Sequence, residues 1–271
     1  MRNKRGMRDL RARDIALLMS GTVAALGVAL SPAAADALDG VKNSKKLVVC
    51  AVDGMLPYSS SDAKVPGFEV EIAQKMAEGL GATVEHAWVT WDALIPALTS
   101  NRCDVIIDGM FITAERQKVI DFSTPYYASG ETILTRKDDA SVKTLEDIKD
   151  KKVGVLAGSV TVDELQKKGI GELEVYPDQN TIVLELANHR IDAAYLEAPT
   201  AAWVIAADPD TRVKIVEEYV PEERFNAGIG VRKEDAALKA ALDEIIGKMR
   251  EDGTIKTVLE KYKVPYFPIA Q

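Results

Sequence analysis

Arg116 lies in the stretch of this chain best equipped to recognise a small anion, residues 104–127, DVIIDGMFITAERQKVIDFSTPYY. The apolar run DVIID reads as a buried strand, GMFIT as the turn that leaves it, and the residues around Arg116 as the opening of a short helix. An arginine just past a strand end, beside the free N–H groups of a helix start, forms a site for one carboxylate. Because the guanidinium stays protonated and presents a planar fork of donors, it recognises carboxylate without any catalytic group. The chemistry expected is binding, with no catalytic residue. His86 and His189 lie far apart without companion ligands at metal spacing, so neither metal nor cofactor is expected.

The elements that must position this arginine alternate regularly. Strand 47–52 runs into the turn 53–58, followed by helix 69–80, strand 83–89, helix 91–100 and strand 104–108. Such β-α-β-α-β order implies a parallel sheet with crossover helices. Ligands of such sheets bind beyond the carboxyl ends of the strands, where Asp53, Trp91, Asp108, Gly109 and Phe111 fall. A second unit repeats the pattern. Helix 144–150 and strand 153–156 lead to the tight turn Ala157, Gly158 and Ser159. Strand 173–176, helix 180–189 and strand 191–196 follow, ending at Glu197. Helices 234–251 and 253–262 close the chain. Extended segments 131–136 and 225–232 are expected to cross between the two units, and two crossings make a hinge.

Bulk properties narrow the function classes. Residues 1–14 carry six Arg/Lys, residues 15–30 are predominantly apolar and uncharged, and Ala33-Ala34-Ala35 supplies a small-residue cleavage site. That is the pattern of a secretory signal peptide over residues 1–35, shorter than the roughly 20 apolar residues of a spanning helix. Taking its six basic and two acidic residues from totals of 34 and 42 leaves 28 and 40, a net charge of −12. This disfavours nucleic acid or an anionic membrane as partner. No cysteine follows the leader directly, so soluble periplasmic placement without a lipid anchor is expected. Cys50 and Cys103 fall on expected strands. If these end together at Asp53 and Asp108, Cys103 is two residues out of register with Cys50. The Cα atoms would then be about 8 Å apart, beyond bridging reach. Two buried free thiols are expected.

Taken in order, GFEVEIA, WDALIPAL, RCDVIIDGMFITAER, DFSTPYY, VGVLAGS, RIDAAYLEAPTA, GVRKED and REDGT resemble family 3 of the bacterial solute-binding proteins that serve ABC importers. The likeness runs from about residue 45 to 265. It implies a type II periplasmic binding fold: two α/β lobes, 36–130 plus 230–271 and 131–229, that close on one solute. It also implies a membrane permease as partner and a monomer. By this resemblance Arg116 pairs with a ligand α-carboxylate, aided by backbone at Phe111 and around Ser159, and Glu197 holds its ammonium from the opposite lobe. Trp91 and Leu56 or Tyr58 sandwich the ligand's body. Opposite charges on opposite lobes make a zwitterion the clamp that closes them.

The departures bear on which solute. Amino-acid binders commonly read GMSIT where this chain has Gly109-Met110-Phe111-Ile112-Thr113. Phe111 with Trp91 could instead form an aromatic cage for a weakly hydrated cation, and the position also resembles binders of ectoine and hydroxyectoine, with Asp53 facing ring N–H groups. Asp108 and the longer Glu197 add negative charge. The expected ligand is therefore a polar or basic amino acid or an ectoine-like compatible solute. Two other functions stay open: an exported dehydratase acting on cyclic dicarboxylates, and a ligand-presenting protein for a chemoreceptor.

Overall fold

The computed structural model describes residues 37–221, 224–264 and 269, so the expected leader lies outside it. Helix α1 (Ala37–Ser44) precedes β1 (Lys46–Ala51), α2 (Phe68–Leu80), β2 (Thr83–Trp88), α3 (Leu94–Thr99), β3 (Val105–Ile106), α4 (Ala114–Gln117) and β4 (Asp121–Phe122). After β5 (Tyr127–Ser129) and β6 (Glu131–Arg136) come β7 (Val153–Leu156), α5 (Val160–Lys167), β8 (Leu173–Tyr176), α6 (Gln179–Ala187) and β9 (Ala193–Glu197). The chain continues through α7 (Ala198–Ala207), β10 (Val213–Ile215), β11 (Phe225–Ala227), β12 (Gly230–Val231), α8 (Ala236–Glu251) and α9 (Thr254–Lys261).

Two mixed five-stranded sheets result, in the orders β2-β1-β3-β12-β4 and β10-β6-β9-β7-β8. This is the two-lobe type II binding-protein fold. In the first sheet β1 is parallel to both neighbours and β12 antiparallel to its own. In the second, β7 is parallel to β8 and β9, while β6 runs antiparallel to β9 and β10. Helix α2 turns Phe68, Ile72, Met76 and Leu80 inward, and α8 turns Leu238, Leu242, Ile246 and Met249 inward. Each such side chain contributes about 2 kcal/mol of transfer free energy.

Segment 131–136 does not cross between the sheets. It is β6 of the second sheet, and the antiparallel ribbon apart from both sheets pairs Tyr127–Ser129 with Phe225–Ala227. The thiol expectation is corrected too. Cys50 and Cys103 form a disulfide with Cα atoms 5.6 Å apart. Strand β3 begins only at Val105, with Cys50 level with Ile106. Cys103 therefore lies in the turn before the strand, free to approach Cys50 off the ladder. Linking residues 53 apart in sequence restricts the unfolded chain, worth about 4 kcal/mol in the loop-entropy account.

Candidate functional site

Tyr58 lies in the turn after β1, and two glycines seat it. Gly67 has φ +94°, and a Cβ there would lie 2.2 Å from the Tyr58 carbonyl oxygen; at Gly109, φ +71°, it would lie 2.5 Å from the Tyr58 ring. Any side chain would require backbone or ring to move. The Tyr58 ring, fully buried, sends its hydroxyl to Glu197 at the end of β9. A residue from the turn after β1 thus donates to a carboxylate on the second sheet.

Other contacts join the same edges. The Trp91 indole N–H donates to the Gly158 carbonyl at 3.3 Å, and Asn180 Nδ2 donates to the Gly54 carbonyl at 3.2 Å. Thr113 caps α4 by accepting from the Arg116 N–H, which fixes where the arginine departs. Its guanidinium donates to the Phe111 carbonyl at 2.8 Å and the Gly158 carbonyl at 3.3 Å. It also lies 5.7 Å from the Trp91 ring centroid, within cation–π range. The carboxyl edges of the two sheets therefore meet in a closed arrangement.

Burial sets the electrostatics. It lowers the Arg116 pKa, against the opposing pull of Glu197 and Glu131. It pushes Glu197 up to about 7, opposed by the Tyr58 hydrogen bond and Arg116. Glu131 rises well above the carboxylate range through burial, then Glu197 and Glu164.

Arg116, Trp91, Tyr58, Ser159 and Glu197 converge on this crevice. Arg116, Gly158 and Ser159 line a 750 Å³ cavity; Leu56, Trp91 and Asp53 line one of 270 Å³. The Ser159 hydroxyl and N–H are both occupied by the Leu156 carbonyl. Three expected residues already have partners within the protein. The Asp53 carboxylate is exposed and accepts from the Ser61 N–H and hydroxyl at 2.7 and 2.8 Å. Asp108 is fully buried, accepting from the Val52 N–H at 2.7 Å and the Ser59 hydroxyl. The Phe111 ring stacks on Phe225, centroids 5.2 Å apart, rather than forming a cage with Trp91.

Sequence reasoning missed Glu131. It stands opposite Glu197 across the β6–β9 pair. The available signal was an acidic residue opening an otherwise apolar strand, ETILTR.

A closed two-lobed crevice with guanidinium from one sheet and carboxylate from the other defines a solute-binding protein. The chain belongs to the bacterial extracellular solute-binding proteins, family 3, whose model matches residues 47–265. Membership makes it the periplasmic solute-binding component of an ABC importer for a small amino-acid-like ligand. It is 34% identical over 230 residues to the L-cystine-binding protein TcyJ of Escherichia coli K12, covering 83% of this chain and 85% of that one. The lysine/arginine/ornithine-binding periplasmic protein of the same organism is 32% identical, covering 76% and 83%. Among solved structures, a mutant of ArgBP from T. maritima aligns with TM-score 0.77 and 32% identity over 83% of this chain and 98% of that one. An ancestral amino acid-binding protein, AncCDT-1, described as a precursor of cyclohexadienyl dehydratase, gives 0.76 and 31% over 84% and 99%.

Proposed function

We propose that this protein captures one α-amino acid between lobes 36–130 plus 230–271 and 131–229, then hands it to a permease after export through the 1–35 leader. Arg116 takes the α-carboxylate and Glu197 the α-ammonium, while Trp91, Tyr58 and Leu56 enclose the ligand's body. Gly109, Phe111 and Ser159 shape the wall. The observation that carries the reading is the arrival of Arg116 and Glu197, from different sheets, at the crevice that also holds Trp91 and Tyr58. Curated relatives named for cystine, histidine, or lysine, arginine and ornithine support an amino acid.

An ectoine-like solute is the second reading, resting on Phe111 in place of serine. The stacking of Phe111 on Phe225 and the bonding of Asp53 to Ser61 weigh against it. A dehydratase acting on a cyclic dicarboxylate would set its two carboxylates against Glu131 and Glu197 with Arg116 as counter-charge. Binding without turnover fits better.

Thermal-shift screening identifies the ligand, since binding to the folded state raises apparent stability. Calorimetry on Arg116→Ala then tests the assignment. Loss of a charge-assisted fork and a stranded ligand carboxylate should cost about 3 kcal/mol, over ~100-fold in Kd. Unchanged affinity would remove the carboxylate site.

A further inference from the structure

We propose that Glu131 is a second cation-binding group of the crevice and selects ligands whose side chain bears a positive charge; this rests on the amino-acid reading above. Glu131 opens β6 and stands directly opposite Glu197 in the antiparallel pair. Opposed residues of such a pair project from the same face with Cα atoms roughly 5 Å apart. Since Glu197 reaches Tyr58 across the crevice, Glu131 presents its carboxylate to the same space.

Glu131 is 2% exposed, and its Oε2 atom is buried with no hydrogen-bond partner among the described residues. Like charges directly opposite each other repel, and a buried carboxylate without a partner is costly. Arg116 attracts it through charge but gives it no hydrogen bond, because the guanidinium donates to the carbonyls of Phe111 and Gly158. The fold therefore keeps an acid whose complement arrives with the ligand. With Arg116 on the α-carboxylate and Glu197 on the α-ammonium, the group left for Glu131 is a side-chain cation, an amine or a guanidinium. The same carboxylate repels acidic side chains and cyclic dicarboxylates.

The test is calorimetric titration of the wild-type protein and Glu131→Gln with L-arginine and with L-citrulline, its neutral isostere. The wild type should bind arginine at least ~10-fold tighter than citrulline, the scale of one charge-assisted contact. In Glu131→Gln that ratio should fall to within ~3-fold, citrulline affinity being kept. The wild-type comparison needs no variant, and a thermal melt checks that Glu131→Gln is folded. Equal binding of both ligands by the wild type overturns the role of Glu131 while leaving the amino-acid reading intact. Equal weakening of both in Glu131→Gln also overturns it, because both carboxylates would then hold the α-ammonium. If no α-amino acid binds the wild type at all, the parent reading falls and this one with it.

Discussion

Two pairs of buried carboxyl groups line this molecule, and they differ in a way that separates scaffolding from recognition. Asp108 and Glu69, beside the first sheet, are both pushed up to about 8, chiefly by burial. Glu131 and Glu197, on the second, are raised for the same leading reason. Titration behaviour alone therefore does not distinguish the pairs. Their partners do. Asp108 takes one backbone N–H and one hydroxyl, and both oxygens of Glu69 take the Tyr126 hydroxyl at 2.9 and 2.8 Å. Glu131 and Glu197 have one tyrosine hydroxyl between them and an oxygen without a partner. A buried acid with its valences filled holds the protein together; one left open waits for something from outside.

Asp108→Ala should break the first half of that comparison most visibly. It strands the Val52 N–H, while the Ser59 hydroxyl keeps the Val52 carbonyl, and an unsatisfied buried donor costs about 1–3 kcal/mol. Chemical denaturation should show about 2 kcal/mol lost. Glu197→Gln should leave stability unchanged or improved, since it removes a buried charge facing Glu131, yet abolish measurable binding. If instead Asp108→Ala kept stability and lost ligand, the two pairs would have exchanged roles.

pH sharpens the contrast. For all four acids the folded pKa lies above the unfolded value near 4, at about 7 for Glu197, about 8 for Glu69 and Asp108, and well above the carboxylate range for Glu131, so from about pH 4 upward the native state holds more of their protons than the unfolded chain. Their contribution to stability is full below about pH 4 and is lost as pH rises through each folded pKa. The melting temperature of ligand-free protein should drop by at least ~5 °C from pH 5 to pH 8. Affinity should move the other way. Glu197, with a pKa of about 7, must be ionised to hold an ammonium, so binding should strengthen as pH rises through 7 and plateau about one unit higher. Saturating ligand should flatten only the part of the stability curve owed to Glu131 and Glu197. A pH-independent affinity would break this link.

The part of the first sheet built from β1, β2 and β3 was legible because its β-α-β-α-β order is local, whereas the antiparallel entry of β12 from far along the chain was not. Arg116 followed from that reading, since α4 begins where the strand–turn pattern requires. Glu131 was not legible for a topological reason. It opens its strand, and only the antiparallel pairing of β6 with β9 brings that start beside the end carrying Glu197. Reading 131–136 as a crossing segment hid this. The disulfide was missed because a strand was extended back to Cys103, whereas the Asp104 N–H and carboxylate both engage Val48 and the chain turns before that point. Asp53 lines the smaller cavity, with its carboxylate already engaged by Ser61, eight residues on in its own loop.

The smallest expected effect concerns how the two edges are held together. Trp91 donates from the first sheet's side to the Gly158 carbonyl, which also accepts from Arg116. Gly158 sits at φ +72°, where a Cβ would be 3.4 Å from Asp92, so the turn packs closely on the Trp91 segment. Trp91→Phe keeps an aromatic face beneath the guanidinium but removes the N–H. A single neutral hydrogen bond is worth about 1 kcal/mol net, so Kd should rise roughly 5-fold if that bond belongs to the closed state alone. Calorimetry is the suitable readout, because the substitution removes an indole from the fluorescence signal. Unchanged affinity with an unchanged melting temperature would mean that Trp91 packs the crevice without latching it, leaving Tyr58–Glu197 and Arg116–Gly158 as the closing contacts.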